Sequence, residues 1–167
     1  MTWVTAAGAS SVRGCARLGD QFLNTDHDVH ASLIRELAEA LDTMASSHNC
    51  RPGGVLFRQG QPGDGVLVLR QGKVRLSATS HAGGTQVCYR VAGPGYVLGL
   101  PALFSGQPYS LTAEALEDCI FGFVDRERAL ELIRNRLDLC LQAADLLAQE
   151  VRSLREWQAA HMGANPK

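Results

Sequence analysis

The residues whose types and spacing could do chemistry lie in Gly93–Leu116, GPGYVLGLPALFSGQPYSLTAEAL. Glycines, a proline in what reads as the first turn of a short helix and a serine form a frame suited to a phosphate. Backbone N–H groups at a helix start attract anions, and glycine lets a guest approach the backbone. The candidate ligand-pocket residues are Leu98, Gly99, Leu100, Pro101, Ala102, Tyr109, Ser110 and Leu111. Leu100 and Tyr109, within this frame, carry no charge. Leu100 cannot accept a hydrogen bond, and Tyr109 offers one neutral O–H. Pro101 removes one N–H donor, although its ring suits a first helical turn.

Other chemistry-bearing residues do not assemble into a site. His48 and Cys50 in SHNC could supply two metal or haem ligands, but two ligands do not make a centre, and the cysteines lack iron–sulfur spacing. Asp64 stands between Pro62–Gly63 and Gly65, and Asp118 also reads as a turn residue. With no Ser/His/Asp set and no paired carboxylates, no catalytic residue, metal or cofactor is expected and the chain is read as a non-enzyme.

The elements that must position the frame follow from periodicity. Residues 1–26, rich in Ala, Gly and Ser without a period, read as a mobile arm. Over 28–45, Leu33, Ile34, Leu37, Leu41 and Met44 share a stripe at helical spacing, with Asp28 as a cap. From Arg51 to Val124, Gly and Pro punctuate short alternating runs, such as KVRLSAT, where Val74, Leu76 and Ala78 face one way and Arg75, Ser77 and Thr79 the other. The fold class expected is mainly β with flanking helices, an all-β barrel or sandwich. Asp125 reads as the N-cap of the helix that follows. The domain organisation expected is a roll with its leading helix over 27–136, a long helix over 137–160 and a tail over 161–167.

The long helix carries its own signal. Leu137, Cys140, Ala144, Leu147, Val151 and Leu154 fall at steps of three and four, a strict a/d seam over about three heptads. A helix packed only on its own roll tolerates a broader stripe, so the seam points to a homodimer through paired helices.

Composition bounds the rest. The chain of 167 residues is 46% hydrophobic and 20% charged, with a net charge of −1, as one globular domain with a helical extension would be. No Lys/Arg block marks a nucleic-acid surface, no run reaches a membrane span, and the N-terminus lacks the basic and apolar regions of a signal peptide. A cytoplasmic location is expected. Cys15, Cys50, Cys88, Cys119 and Cys140 are odd in number and contain no C-x-x-C pair, as expected of reduced thiols, with Cys88 and Cys119 simply filling strand positions.

CRPGGVLFRQGQPGDGVLVLRQGKVRL, followed by G-x-x-x-G before a short helix and then S-x-T-A-E-A, resembles the cyclic-nucleotide-binding domain of the Crp/Fnr superfamily of bacterial regulators, and the resemblance runs from Asp28 to Trp157. It implies a leading helix, a β-roll enclosing a phosphate-binding cassette and a long dimerisation helix. It also implies a Glu for the ribose hydroxyl and an Arg for the cyclic phosphate at positions held here by Leu100 and Tyr109, with Gly99 and Ser110 matching. At about 1.5–3 kcal/mol for each lost charge-assisted bond, cyclic AMP is expected to bind two to four decades more weakly than in members that keep both groups. Restoring Glu at 100 and Arg at 109 together is expected to recover affinity if the cradle is open. Arg152 or Arg155 would be the substitute cation if a cyclic nucleotide were bound in another way. No helix-turn-helix module follows residue 160, so direct DNA binding is not expected. The expectation is a dimeric interaction module, or a sensor of a small ligand other than cyclic AMP, acting with a protein partner. The alternative is a regulator that binds a cyclic nucleotide through substitute residues and controls transcription through a partner.

Overall fold

The computed structural model describes residues 27–79 and 86–162. The arm expected at 1–26 and the tail residues 163–167 lie outside the described residues, as do the side chains of 27–34, Leu33 and Ile34 among them. Helix α1 (His27–Thr43) packs on strands of one sheet and on the last helix, with Leu37 and Leu41 fully buried and Met44 against the same core. Arg70 donates through Nε to Asp42 at 2.7 Å and fastens this helix to the sheet beneath.

Among the described residues eight strands follow: β1 (Ser46–Cys50), β2 (Val55–Phe57), β3 (Gly65–Gln71), β4 (Val74–Thr79), β5 (Gln86–Ala92), β6 (Val97–Leu98), β7 (Thr112–Ala115) and β8 (Cys119–Asp125). They form two four-stranded antiparallel sheets, β1-β8-β3-β6 and β2-β7-β4-β5. Neighbours in a sheet are mostly distant in sequence, as in a roll whose chain passes repeatedly between two layers. The Gly and Pro punctuation marks the crossings. Gly72 turns β3 into β4 at φ 91°, where a Cβ would also come within 2.6 Å of the Asp118 carbonyl.

Helix α2 (Leu100–Ser105) interrupts the strands, and α3 (Arg126–Asn135) and α4 (Leu137–Met162) close the chain. Asp125 caps α3 as its sequence position implies, accepting the Arg128 N–H at 3.1 Å. Two apolar clusters result. One fills the roll between the sheets, with Leu67, Leu69, Val74, Leu98, Ala113 and Phe121 in it, and the other lies between the β1–β8–β3 sheet and the helices.

Ser77 is 1% exposed, its hydroxyl accepting from Gln86 Nε2 at 2.6 Å, and the β4–β5 ladder shifts after Leu76, leaving Tyr89 as an extra residue of β5. One sequence expectation fails here. Cys88, expected as a reduced thiol that only fills its strand, is disulfide-bonded, whereas Cys50, Cys119 and Cys140 are free. Pairing depends on approach of Cα atoms in the fold, which sequence spacing does not report.

Candidate functional site

The cassette is built from two turns and a one-and-a-half-turn helix. After β5, Gly95 at φ 87° directs its N–H to the Leu69 carbonyl at 2.7 Å, and Leu69 donates back to Tyr96 at 3.0 Å, which lays β6 on β3. Gly99 then caps α2 at φ 90°, with Pro101 in the first turn and Gly106 at φ 68° ending it. A Cβ on Gly99 would meet the Gly65 carbonyl and the Tyr109 ring, each at 3.0 Å, so glycine is required both for conformation and for space.

Tyr109 occupies the interior of this cradle. Its backbone is held by the turn before β3, through Tyr109 N–H to the Gln61 carbonyl at 2.9 Å and Gly60 N–H to the Tyr109 carbonyl at 2.8 Å. Its ring is 6% exposed and stacks on Phe57 with centroids 4.2 Å apart. Its hydroxyl donates to the Gly65 carbonyl at 2.8 Å and accepts the Gly65 N–H at 3.3 Å. Burial raises the Tyr109 pKa against the opposing effect of the Gly65 bond, so the group stays a neutral phenol. The side chain is thus a satisfied member of the roll core.

The other expected pocket residues separate. Leu98 and Ala102 are buried in the same cluster as Tyr109, with Leu111 half-buried against it. Leu100, 3% exposed, lies in the other cluster among Leu37, Leu41, Val66 and Leu103. Pro101 and Ser110 are exposed. A glutamate at Leu100 would therefore enter an apolar core rather than face a ribose, and an arginine at Tyr109 would lie against Phe57. Arg152 and Arg155 are exposed, the former beside Glu156 at 3.9 Å. His48 bonds Ser46 Oγ at 2.9 Å and stacks on Phe121, burial pushes the Cys50 thiol pKa up, and no group of three metal-ligating side chains occurs among the described residues.

The long helix α4 presents two faces. Leu139 and Ala143 are fully buried against the roll, and Gln142 accepts the Leu37 N–H at 3.1 Å. The heptad seam lies elsewhere: Leu137 is 75% exposed, Val151 49% and Leu154 37%, Cys140 and Ala144 are also exposed, and Leu147 is half-buried against the core.

One cluster escaped sequence reasoning. Arg90 donates to the Tyr96 hydroxyl at 3.1 Å, and that hydroxyl donates to Glu150 Oε1 of α4 at 3.0 Å. The Arg90 guanidinium lies 5.4 Å from the Tyr89 ring centre and 5.9 Å from that of Tyr96, and Trp157 meets Tyr89 edge-on at 6.1 Å. Burial, reinforced by the Glu150 charge, carries the Tyr96 pKa well above the usual phenol range. Burial also raises the Glu150 pKa, against the Tyr96 bond and the Arg90 charge. The sequence signal was faint, a YR pair in a strand and a lone Glu on the inner face of a helix.

The Glu150 shift has a testable sign. A carboxyl whose folded pKa is raised contributes stability below its unfolded pKa and loses it as pH rises through the folded one. Glu150→Gln keeps an acceptor for Tyr96 and should therefore melt higher than the wild type at about pH 7.5, with the gain shrinking toward zero at about pH 4. Thermal melts of both proteins at the two values check this, and equal melting at about pH 7.5 would contradict it.

Fold and cassette together define a β-roll with a short helix set into it and a long C-terminal helix. The cyclic nucleotide-binding domain model matches residues 47–136, more than half of the chain, and the chain belongs to that family, in its Crp/Fnr-type form. It is 38% identical over 104 residues to the cyclic AMP receptor protein of Thermus thermophilus, an alignment covering 62% of this chain and 46% of that protein. The crystal structure of the Thermus thermophilus catabolite activator protein superposes with a TM-score of 0.65 at 27% identity, covering 80% of this chain and 61% of that one. The N-terminal domain of a transcriptional regulator from Streptomyces coelicolor does so at 0.56 and 26%, covering 72% and 83%. The chain therefore spans about half the length of the Thermus receptor protein. No described helix is long and apolar enough to cross a membrane.

Proposed function

We propose that this chain is a regulatory module of the Crp/Fnr type that works as a homodimer and does not hold cyclic AMP in its cassette, acting on a protein partner rather than as an enzyme. The observation that carries the reading is Tyr109, whose ring lies inside the cradle with its hydroxyl bonded to both backbone groups of Gly65. A phosphate seated there would have to displace a stacked ring and would meet no cation in its place. Support for the dimer comes from the division of α4 into a buried face, with Leu139 and Ala143, and a heptad seam of which five of the six residues are exposed. A net charge of −1 favours output through a protein surface over output through nucleic-acid phosphates.

Thermal melting with cyclic AMP, cyclic GMP and cyclic dinucleotides tests the reading. A ligand at one hundred times its dissociation constant adds about 2.7 kcal/mol to the folded state, a shift of several degrees. No shift is expected from any of the mononucleotides at about 1 mM, and a shift of that size with cyclic AMP would defeat the proposal.

A further inference from the structure

Cys50 and Cys119 are partners across the β1–β8 ladder, the last residue of one strand opposite the first of the other, and both are free thiols. Directly opposed residues of an antiparallel pair point to the same face with Cα atoms about 4.5–5.5 Å apart, inside the span of about 4.4–6.8 Å that a disulfide bridges. Both pack in the roll cluster, Cys119 at 2% exposure and Cys50 half-buried. Glycine gives each sulfur its room: a Cβ on Gly54 would collide with Cys50 Sγ, and one on Gly72 would stand 2.6 Å from Cys119 Sγ. The pair also sits where the chain twice crosses between the sheets. The turn after Cys50 bonds the end of β7, through Gly53 N–H to the Ala115 carbonyl and Ala115 N–H to the Gly54 carbonyl, each at 2.8 Å, and the chain then re-enters the first sheet at Cys119. Among the described residues β1 is an edge strand with β8 as its one ladder partner, the kind of element that opens first.

We propose that Cys50 and Cys119 form a reversible thiol–disulfide switch that locks edge strand β1 to β8 and fixes the crossing between the sheets. Half-exposed Cys50 is the entry thiol and buried Cys119 the resolving one. With a small disulfide of the glutathione kind as oxidant, the Cys50 thiolate attacks one of its sulfurs, the S–S bond breaks, and a mixed disulfide forms as one small thiolate leaves. Cys119 then attacks Cys50 Sγ and expels the second small thiolate. The two protein thiols are oxidised, their two protons go to the departing thiolates, and one small disulfide is reduced to two thiols. Burial raises the pKa of both groups, with Cys119 adding to the effect at Cys50 and bonds to the Glu117 and Lys73 carbonyls opposing it at Cys119. The thiolate is therefore scarce at neutral pH, and the switch turns over slowly, following a sustained redox poise. The inference goes beyond the reading of Tyr109, and its failure would leave that reading untouched.

The test uses the full chain, reduced, desalted and held in glutathione buffers of rising disulfide fraction, then alkylated and digested for peptide mass mapping. A peptide pair joined through Cys50 and Cys119 should appear and should vanish again with dithiothreitol, and the mapping keeps it apart from the Cys88 bond. Oxidation should raise the melting temperature of the wild type by about 5–10 °C more than it raises that of Cys50→Ser, because closing a long loop restricts the unfolded chain. Cys50 is half-buried, so this variant should fold, and Cys119→Ala provides a second background in which the extra rise should be absent. In the oxidised wild type, the amides of Ser46–Cys50 that bond β8 should exchange with solvent at least about tenfold more slowly than in the reduced protein, with no such change in Cys50→Ser. A glutathione adduct that persists on Cys50 while Cys119 stays a thiol would overturn the proposal. So would the absence of the joined peptide at the most oxidising ratio, or a joined form whose melting and β1 exchange match those of the reduced chain.

Discussion

Aspartate at both Val151 and Leu154 is expected to leave the chain monomeric at tens of micromolar. The two side chains are 49% and 37% exposed on the face of α4 that the roll does not cover, so the change should leave the fold intact. In a two-fold helix pair each substitution acts twice, removing four apolar side chains from the seam at about 1.5 kcal/mol or more each, on the order of 6 kcal/mol or four decades in dissociation constant. Like charges brought together across the axis add to that. Leu147 belongs to the same heptad but is half-buried against the roll core, and aspartate there would mix a folding defect into the result. Sedimentation equilibrium checks the expectation. A wild-type monomer at that concentration, or a variant that stays dimeric, would contradict the paired-helix interface.

Tyr109→Ala should lower stability by about 3–5 kcal/mol, roughly 10 °C in melting temperature for a chain of this size. The ring it removes is stacked on Phe57 and wedged beside Gly99, and the hydroxyl it removes leaves both backbone groups of Gly65 in want of a partner. Tyr109→Phe keeps the stack and loses only the hydroxyl bonds, for about 1–2 kcal/mol. Denaturant or thermal melts of the pair separate the two contributions. A residue lining an open ligand cavity would show neither cost, and a loss below about 1 kcal/mol for Tyr109→Ala would mean that the cradle is not filled by this ring.

The position of Leu100 changes what restoration of the family charges can do. The family resemblance treats Leu100 and Tyr109 as two uncharged places in one pocket, open or filled by its own side chains. In the structure they sit in different cores, Leu100 in the cluster between the sheet and the helices and Tyr109 inside the roll, so Glu at the first and Arg at the second would each enter apolar surroundings. The double change is thus expected to destabilise the chain before it gains a nucleotide.

What could be read in the sequence was what local chemistry dictates. Glycines that turn the chain at positive φ, the Asp125 cap, the apolar stripe of α1 and the heptad of α4 all declare themselves within a few residues. The features that stayed hidden depend on distant partners. Alternation along β4 gives no sign of the extra residue, Tyr89, in the strand opposite it. Arg90, Tyr96 and Glu150 span 60 residues and become a chain of bonds only when α4 lies along the roll. The Cys88 disulfide depends likewise on how separate segments meet. In the cassette, residue types revealed the missing charges, whereas the filling of the cradle by Tyr109 required knowing that Gly60, Gln61 and Gly65 pin it from the opposite strand connection.

The measurement that bears most directly on the account is a calorimetric titration of the wild-type chain with cyclic AMP. With Tyr109 seated in the cradle and no cation at the phosphate position, no saturable heat is expected at ligand concentrations up to about 1 mM. A one-site isotherm with a dissociation constant in the micromolar range would show that the ring yields its place to the nucleotide, and would contradict the account at its centre.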